Sequence, residues 1–285
     1  MTLTPQVPVV ALDASTHESG PTRIIPFDLS KDMQLEYPAS SPNLLASFIR
    51  ICEDEKIETD ASATSQAFYI IRGSGRSVTE HGEVKWAQGD LFVIPASQKS
   101  VKHFADEDTA IYWVNDQPLL QYLGVAPAEK KFKITLFRKA TLLSEVERIQ
   151  HQPGAEHRNR MGILLGNKAT EGTTKTLTHT LWSLLNVLPK GDKQRPHRHN
   201  SVALDLCVSA PKGEGVYTLM GPELDEDGWV KNPVKCLWKT GSVFSTPPGW
   251  WHSHHNDTDE DAWVLPMQDA GLYTYQRTLD IRFSK

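Results

Sequence analysis

Short apolar segments separated by polar turns recur along most of the chain. The segments are rich in Val, Ile, Phe, Tyr and Thr, and the turns between them are rich in Gly, Pro, Asn and Asp. This pattern is typical of antiparallel β-strands. Helical spacing of apolar residues is clearest in two short stretches, residues 141–152 and residues 119–125. The pattern therefore predicts an all-β fold with a few short helices.

The two halves of the chain repeat this pattern. Residues from Leu44 onward align without a gap with residues from Leu181 onward, and each half gives an apolar strand, a polar turn and a second strand. A later pair of matching runs, KWAQGDLFVIP and LWKTGSVFSTP, aligns Gly89 with Gly241. Such internal repetition indicates two copies of one structural unit. We expect four regions: an N-terminal arm (1–40), a first barrel (41–125), a linker (126–178) and a second barrel (179–285).

Composition narrows the class of protein. The 285 residues carry a net charge of −5, with acidic and basic residues mixed along the chain, which argues against nucleic acid as a partner. The N-terminal stretch lacks the basic region and the long apolar run of a signal peptide, and no segment has the roughly 18 consecutive apolar residues of a membrane span. The three cysteines are scattered, without a C-x-x-C pair, as expected in a reducing compartment. We expect a soluble, cytoplasmic protein that does not bind membranes.

Three histidines in the second half have the spacing of a metal site. His197 and His199 are two residues apart, so on a strand both side chains face the same way. His252 follows a Pro-Pro-Gly turn that would start a neighbouring strand. Three neutral imidazoles can then converge on one ion at about 2.0–2.2 Å. Such a site suits Fe(II), Ni, Cu or Zn, and we expect one divalent ion per chain.

Two stretches of the second half carry a family resemblance. The run GSVFSTPPGWWHSHHN, from Gly241 to Asn256, matches the second cupin motif, G-x5-P-x-G-x2-H-x3-N, at every fixed position. The run GDKQRPHRH, from Gly191 to His199, matches the opening of the first cupin motif, G-x5-H-x-H. The chain therefore resembles a bicupin, a protein of two tandem cupin barrels. The resemblance implies a double-stranded β-helix, or jelly roll, for each half.

Among cupins, the chain resembles the gentisate 1,2-dioxygenase group of ring-cleaving dioxygenases. The runs HRHNSVAL and GWWHSHHN are similar to the group's histidine segments, and DQPLLQYLGV is similar to a segment that closes one of its barrels. The resemblance implies a non-haem Fe(II) dioxygenase of aromatic compound catabolism, a homo-oligomer that acts with O2 on a hydroxylated aromatic or related small molecule. Three features depart from the pattern. The intact triad is in the second barrel rather than the first, and Asp205 replaces the arginine that holds the substrate carboxylate. Ala210, followed by Pro211 and Lys212, occupies the place where the first motif has Gly.

Further side chains are expected to face the same site. The candidate catalytic residues are His254 and Asp205. His254 is two residues after His252, so on a strand it shares the inward face of His252. It can donate or accept a proton, or only orient a neighbour. Asp205 faces inward by its parity and can orient a ligand or bind a hydroxyl or amine, or lie exposed at the barrel end. The residues predicted to line the substrate pocket are Trp251, Trp263 and Gln268. The cations considered for a substrate carboxylate are Arg198, Arg277 and Arg282.

The first barrel provides an internal comparison. The ungapped repeat places four residues at its ligand positions: Asp60, Ser62, Gln66 and Ser100. None is a histidine, so we expect this barrel to serve in packing and oligomerisation, or to bind a regulatory ligand. Two alternatives to a dioxygenase remain for the chain, because barrels of this kind host many activities. One is another reaction on the same metal, such as diketone cleavage or isomerisation. The other is a non-catalytic small-molecule-binding or regulatory bicupin.

Overall fold

The protein is built from β-sheets that form two compact units. The computed structural model describes residues 4–155, 158 and 160–285. Unit 1 contains residues 15–141 and 166–181, together with the start of the chain up to Pro5. Unit 2 contains residues 6–14, 142–165 and 182–285. The predicted all-β fold with a few short helices is confirmed.

In its described residues, unit 1 contains ten strands in two sheets. The strands are β2 (Arg23–Pro26), β3 (Leu45–Ile51), β4 (Lys56–Thr59), β5 (Ser65–Arg72), β6 (Ser74–Thr79), β7 (Gly82–Ala87), β8 (Leu91–Pro95), β9 (Val101–Ala105), β10 (Thr109–Asn115) and β11 (Thr135–Phe137). One sheet has the order β11–β8–β5–β10–β3–β2, and the other has the order β4–β9–β6–β7. The short helices of this unit are α1 (Ser15–Glu18), α2 (Ser30–Met33) and α3 (Gln117–Leu123).

Eleven strands in two sheets make up the described part of unit 2. The strands are β1 (Ala11–Leu12), β12 (Met161–Leu164), β13 (Trp182–Leu188), β14 (His197–His199), β15 (Ala203–Ser209), β16 (Val216–Gly221), β17 (Val234–Leu237), β18 (Val243–Thr246), β19 (Trp251–Asn256), β20 (Ala262–Gln268) and β21 (Ile281–Phe283). The orders are β1–β18–β15–β20–β13–β12 and β17–β16–β19–β14–β21. Helix α5 (Ala270–Gln276) follows β20, and helix α4 (Lys139–Gln150) runs across the boundary between the units in sequence.

The sheet orders repeat between the units. The run β8–β5–β10–β3 of unit 1 has the same connectivity as β18–β15–β20–β13 of unit 2. The turn before β8 and the turn before β18 are also alike, since Gly89 and Gly241 have φ of 87° and 81° and each N–H bonds a strand carbonyl at 2.8 Å, that of Ile70 and that of Cys207. Glycine adopts this left-handed conformation without the steric penalty of a side chain. The repeat seen in the sequence is therefore a repeat of structure.

The division into units runs differently from the predicted boundaries. Residues 6–14, assigned to an N-terminal arm, belong to unit 2, where β1 pairs with β18. Residues 142–165, assigned to a linker, also belong to unit 2 and add β12 to the edge of β13. Each segment adds an edge strand to a sheet through hydrogen bonds. A short apolar run does not indicate which strand it pairs with, so these edge strands were not predicted from the sequence.

The two predicted helices form close to their expected positions. Helix α3 has Pro118 in its first turn, where the missing N–H costs no helical hydrogen bond. It ends at Gly124, which has φ of 66° and caps the helix through its N–H. Helix α4 buries Leu142 and Val146, which are four residues apart on one face. Among the described residues, no helix is long and apolar enough to cross a membrane.

Candidate metal centre

His197, His199 and His252 come together inside unit 2. One nitrogen atom from each ring lies within 4.8 Å of the corresponding atoms of the other two, and all three side chains are buried. His197 and His252 are paired across β14 and β19, and alternation along β14 turns His199 to the same side. The three histidines can therefore hold a metal ion, as their spacing predicts.

The backbone orients each ring of this triad. The Nδ1 atoms of His197, His199 and His252 lie 3.2, 2.9 and 3.1 Å from backbone carbonyl oxygens, those of His252, Ser201 and Trp250 in turn. A carbonyl only accepts, so Nδ1 of His199 and of His252 carries the proton and donates it, and their Nε2 atoms have lone pairs free for a metal. Nδ1 of His197 also lies 2.6 Å from a donor, the guanidinium of Arg160. Orientation of ligand imidazoles by hydrogen bonds from the second ring nitrogen is common in metal sites, so the donor set fits a divalent ion.

Burial also keeps these imidazoles uncharged. It lowers the pKa of His199 to about 4, with the positive charge of Arg160 acting in the same direction. Burial, followed by the nearby positive charges, holds the pKa values of His197 and His252 well below the ordinary value. Neutral imidazole is the form that binds a metal ion.

Arg160 is a cation at this site that the sequence did not predict. It precedes β12, and its Nη2 atom lies 2.6 Å from Nδ1 of His197 and in contact with Nε2 of the same ring. Burial lowers the pKa of Arg160 to about 10, and the carboxylate of Asp205 acts in the opposite direction. The guanidinium is therefore charged at neutral pH. The one signal for it in the sequence is a basic residue directly before the apolar run MGIL.

Asp205 also faces the cavity. Its side chain is buried, and Thr246 Oγ1 donates a hydrogen bond to its Oδ2 atom at 2.6 Å. Burial raises the pKa of Asp205 to about 6, while Thr246 and the positive charge of Arg160 lower it. The structure thus places a carboxylate and a guanidinium in one cavity.

His254 lies beside the triad, on the same face of β19 as His252. Its ring centroid is 5.8 Å from that of His252 and 6.3 Å from that of His197. Its Nδ1 atom is 2.8 Å from Thr218 Oγ1, which leaves Nε2 as the nitrogen that can face the cavity. Burial and the neighbouring positive charge of Arg160 hold the pKa of His254 well below its ordinary value.

These groups surround a cavity of about 190 Å³. Besides the residues already described, its walls include Trp182, Leu184, Asn186, Val264, Pro266, Gln268, Ile281 and Phe283. Asn186 is fully buried, and neither its side-chain nitrogen nor its oxygen has a partner among the described residues. Asn186 was not predicted, although a polar residue within the apolar run WSLLNVL is a signal for such a position.

The structure corrects two of the three predicted pocket residues. Gln268 lines the cavity, and its Oε1 atom accepts a hydrogen bond from Ser201 at 2.9 Å. Trp251 and Trp263 are not among the lining residues, because each alternates with an inward residue of its strand. Trp251 instead lies under the guanidinium of Arg198, 5.1 Å from the ring centroid. Trp182 provides the aromatic wall.

The predicted alternatives for a carboxylate-binding cation also lie elsewhere. Arg198 stacks on Trp251, Arg277 lies over Tyr275, and Arg282 pairs with Asp280 at 3.0 Å. None of the three lines the cavity, whereas Arg160 does.

The equivalent positions of the first barrel differ by one residue from those predicted. Thr59 pairs with Val101 as His197 pairs with His252, so the equivalents are Thr59 and Val101 rather than Asp60 and Ser100. The ungapped alignment fails at both positions because the first barrel has one more residue than the second between Thr59 and Phe68, and again between Gly89 and Val101. Neither Thr59 nor Val101 offers an imidazole.

Aromatic side chains occupy the interior of the first barrel. Phe68 pairs with Phe92 and Trp113 as Asp205 pairs with Phe244 and Pro266, so Phe68 is the equivalent of Asp205. Its ring stacks on Phe92 at 4.8 Å and on Trp113 at 6.0 Å between centroids. The first barrel therefore has a packed apolar core where the second has a polar cavity.

Sequence comparison links the chain to two curated dioxygenases. It is 31% identical over 91 residues to a gentisate 1,2-dioxygenase from Ralstonia sp and 27% identical over 64 residues to a 5-aminosalicylate 1,2-dioxygenase from Comamonas sp. The matched stretches span 22% and 17% of the length of these relatives. No protein-family model matches the chain.

Solved structures of other proteins align with nearly the whole chain. Salicylate 1,2-dioxygenase from Pseudaminobacter salicylatoxidans has a TM-score of 0.75 and 14% identity, and the match covers 99% of this chain and 90% of that one. A cupin 2 conserved barrel domain protein from Leptotrichia buccalis has a TM-score of 0.54 and 16% identity, with 93% and 99% covered. The chain thus has the fold of a bicupin, and its resemblance to the gentisate and salicylate 1,2-dioxygenases is confirmed.

Proposed function

We propose that the protein is a metal-dependent cupin dioxygenase that cleaves the ring of a small hydroxylated aromatic acid. The observation that carries the proposal is the triad, in which three buried imidazoles bring one nitrogen each to within 4.8 Å of the others and are oriented by backbone carbonyls near Nδ1. His197, His199 and His252 would hold one divalent ion, most consistent with Fe(II) in view of the related dioxygenases. When bound, such an ion supplies Lewis acidity and, as iron, one-electron chemistry with O2.

The volume of the cavity and the charge of Arg160 favour a small substrate with a carboxylate. A volume of about 190 Å³ is below the range of roughly 300–1,000 Å³ found for sites of drug-sized ligands, which favours a single-ring compound. Arg160 offers a guanidinium that can bind a carboxylate through two parallel hydrogen bonds. The relatives are named for gentisate and 5-aminosalicylate, and one solved neighbour is a complex with gentisate. We propose a substrate of this class.

The remaining polar side chains are suited to ring substituents. Asp205 can accept a hydrogen bond from a hydroxyl or amino group. Because Asp205 and Arg160 have opposite charges, they can bind different ends of a substrate, Arg160 its carboxylate and Asp205 its hydrogen-bond donors. The side-chain amide of Asn186 offers two N–H donors and one acceptor oxygen, and neither its nitrogen nor its oxygen has a partner among the described residues. Trp182 and Pro266 provide apolar walls that exclude water around the ring. We propose His254 and Asp205 as the residues that handle protons or hydrogen bonds of the substrate.

The test measures metal content and oxygen uptake on protein purified without air. The probes are gentisate and salicylate, and the variants are His199→Ala and His151→Ala, the latter changing an exposed histidine directly after α4. We expect one iron per chain and substrate-dependent O2 uptake in the wild type and in His151→Ala, and the loss of both in His199→Ala.

Two results would contradict the proposal. Failure of the wild type to take up Fe(II) would exclude a metal-dependent enzyme of this kind. Metal binding and ligand-induced thermal stabilisation without O2 uptake across a panel of phenolic acids would instead indicate a binding module.

A further inference from the structure

A chain of three polar side chains leads from the second barrel's core to the cavity. The indole Nε1 of Trp238 donates to Thr218 Oγ1 at 2.8 Å, and Thr218 Oγ1 lies 2.8 Å from Nδ1 of His254. Trp238, Thr218 and His254 are all buried, and His254 lines the cavity. We name this chain the Thr218 relay.

The hydrogen-bond inventory decides the direction of the Thr218 relay. An indole N–H only donates, so it takes a lone pair of Thr218. Within the described part of the chain, the only other partner recorded for this hydroxyl is His254. Thr218 is fully buried and cannot give its proton to solvent. If Nδ1 of His254 carried a proton, the hydroxyl proton of Thr218 would have no acceptor, which is costly for a buried group.

The first barrel contains a second copy of the arrangement. Trp86 Nε1 donates to Ser77 Oγ at 2.8 Å, and Ser77 Oγ lies 2.8 Å from Nδ1 of His103. Ser77 pairs with His103 in the same register as Thr218 with His254. The far nitrogen of His103, Nε2, lies 2.9 Å from Thr59 Oγ1.

This copy shows where the far nitrogen is directed. Thr59 occupies the position equivalent to His197, so Nε2 of His103 points to a metal-ligand position of its barrel. With Ser77 donating to Nδ1, Nε2 of His103 carries the proton and donates to Thr59. The same polarity in His254 would direct an N–H toward the metal position of the second barrel.

We propose that Thr218, held by Trp238, is a positioning residue that fixes His254 with its proton on Nε2, as a hydrogen-bond donor to an oxygen atom of the bound substrate. In this tautomer His254 cannot accept a proton from the substrate at Nε2, so it acts as a donor and not as a general base. The catalytic consequence rests on the proposed function, whereas the direction of the hydrogen bonds does not.

Nuclear magnetic resonance of metal-free protein labelled with 15N-histidine tests the direction directly. The pattern of two-bond 1H–15N couplings distinguishes Nε2–H, Nδ1–H and imidazolium. His254→Gln and His103→Gln variants identify the two signals. We expect the Nε2–H tautomer for both residues in the wild type. An Nδ1–H tautomer or an imidazolium at His254 in the wild type at neutral pH would overturn the proposal, whether or not any variant folds.

Matched variants then locate the cause. Thr218→Val keeps the shape and removes the hydroxyl, and we expect it to change the His254 signal and leave that of His103 unaltered. Thr218→Ser should restore the wild-type pattern. Ser77→Ala is the reciprocal control, which should change only His103. An unchanged His254 tautomer in a folded Thr218→Val protein would also contradict the proposal.

Kinetics with Fe(II) and gentisate separate this inference from the proposed function. Loss of a positioned donor should lower kcat of Thr218→Val about tenfold or more, with KM little changed and recovery in Thr218→Ser. Absence of O2 uptake in every protein, with the expected tautomers, would reject the dioxygenase and keep the positioning role. Activity with an unaltered kcat in Thr218→Val would reject the positioning role and keep the dioxygenase.

Discussion

Arg160 contacts both ring nitrogens of His197, including the one that a metal ion would use. A guanidinium has only hydrogen-bond donors, so it can bond His197 only at the ring nitrogen that carries no proton. A guanidinium and a metal ion cannot share one lone pair. Arg160 must therefore turn away from His197 when an ion is held, which brings its charge toward the remainder of the cavity.

Replacing Arg160 by leucine should separate metal binding from substrate binding. We expect the affinity for the metal to stay the same or to rise by up to about tenfold, because a competing cation is lost. Affinity for gentisate should fall by roughly 10- to 100-fold, the usual worth of hydrogen bonds to a charged group. Chelator competition and anaerobic calorimetry measure the two. Arg198→Leu, outside the cavity, is the control, and loss of metal from Arg160→Leu would contradict the competition.

Asp205→Asn should stabilise the metal-free protein increasingly as pH rises. The folded pKa of about 6 is above the ordinary value of 3.8, so the folded state binds the proton more tightly than the unfolded state. Stability from this group is present below about pH 4 and is lost as pH rises through 6. The asparagine variant lacks this loss, which amounts to up to about 3 kcal/mol at pH 7. Urea unfolding at several pH values gives the difference, and a pH-independent difference would speak against a buried, titrating Asp205.

His103 should make the first barrel sensitive to acid. Burial lowers its folded pKa to about 3, from 6.5, so the unfolded state binds more protons between these values. Stability is complete above pH 6.5 and falls as pH decreases, by about 2 kcal/mol at pH 5. His103→Gln should show a shallower fall than the wild type over this range, whatever its stability at pH 7. Equal slopes in the two proteins would show that His103 is not held neutral by the fold.

Phe68→Ala should strongly destabilise the first barrel. The phenyl ring is fully buried between Phe92 and Trp113, and its removal leaves a cavity that the surrounding strands cannot fill. We expect a loss of about 3–5 kcal/mol in the free energy of unfolding. Phe283→Ala, at a ring that is 56% exposed, should cost far less. Similar losses in both variants would mean that Phe68 is not part of a rigid core.

The sequence was informative where a local pattern determines structure. The metal triad was predictable because H-x-H on a strand and a histidine after a Pro-Gly turn fix direction by alternation. The same alternation, applied from His252 and Val264, excludes Trp251 and Trp263 from the cavity, because each is adjacent in its strand to a residue that faces inward. The predicted inward direction of Asp205 agrees with its place in the cavity.

Other features depend on contacts that are distant in sequence. Arg160 reaches His197 from a segment that pairs with β13, and strand pairing across a presumed linker leaves no signature in either run. The positions equivalent to the triad were displaced by one residue because insertions of a single residue in turns are invisible to an ungapped alignment. The Thr218 relay joins a residue of β16, a residue of β19 and Trp238, which directly follows β17, and the register between β16 and β19 brings Thr218 beside His254.

The pairing of β1 with β18 has a consequence for synthesis of the chain. Residues 11–12 are synthesised more than 200 residues before their partners, Val243 and Phe244. During that interval all of unit 1, including residues 166–181, is synthesised, while residues 6–14 remain without their partner strand. The second barrel can complete this sheet only after Val243 and Phe244 have left the ribosome, so a fusion that restrains residues 6–14 would impair the barrel that carries the histidines and leave the other to fold.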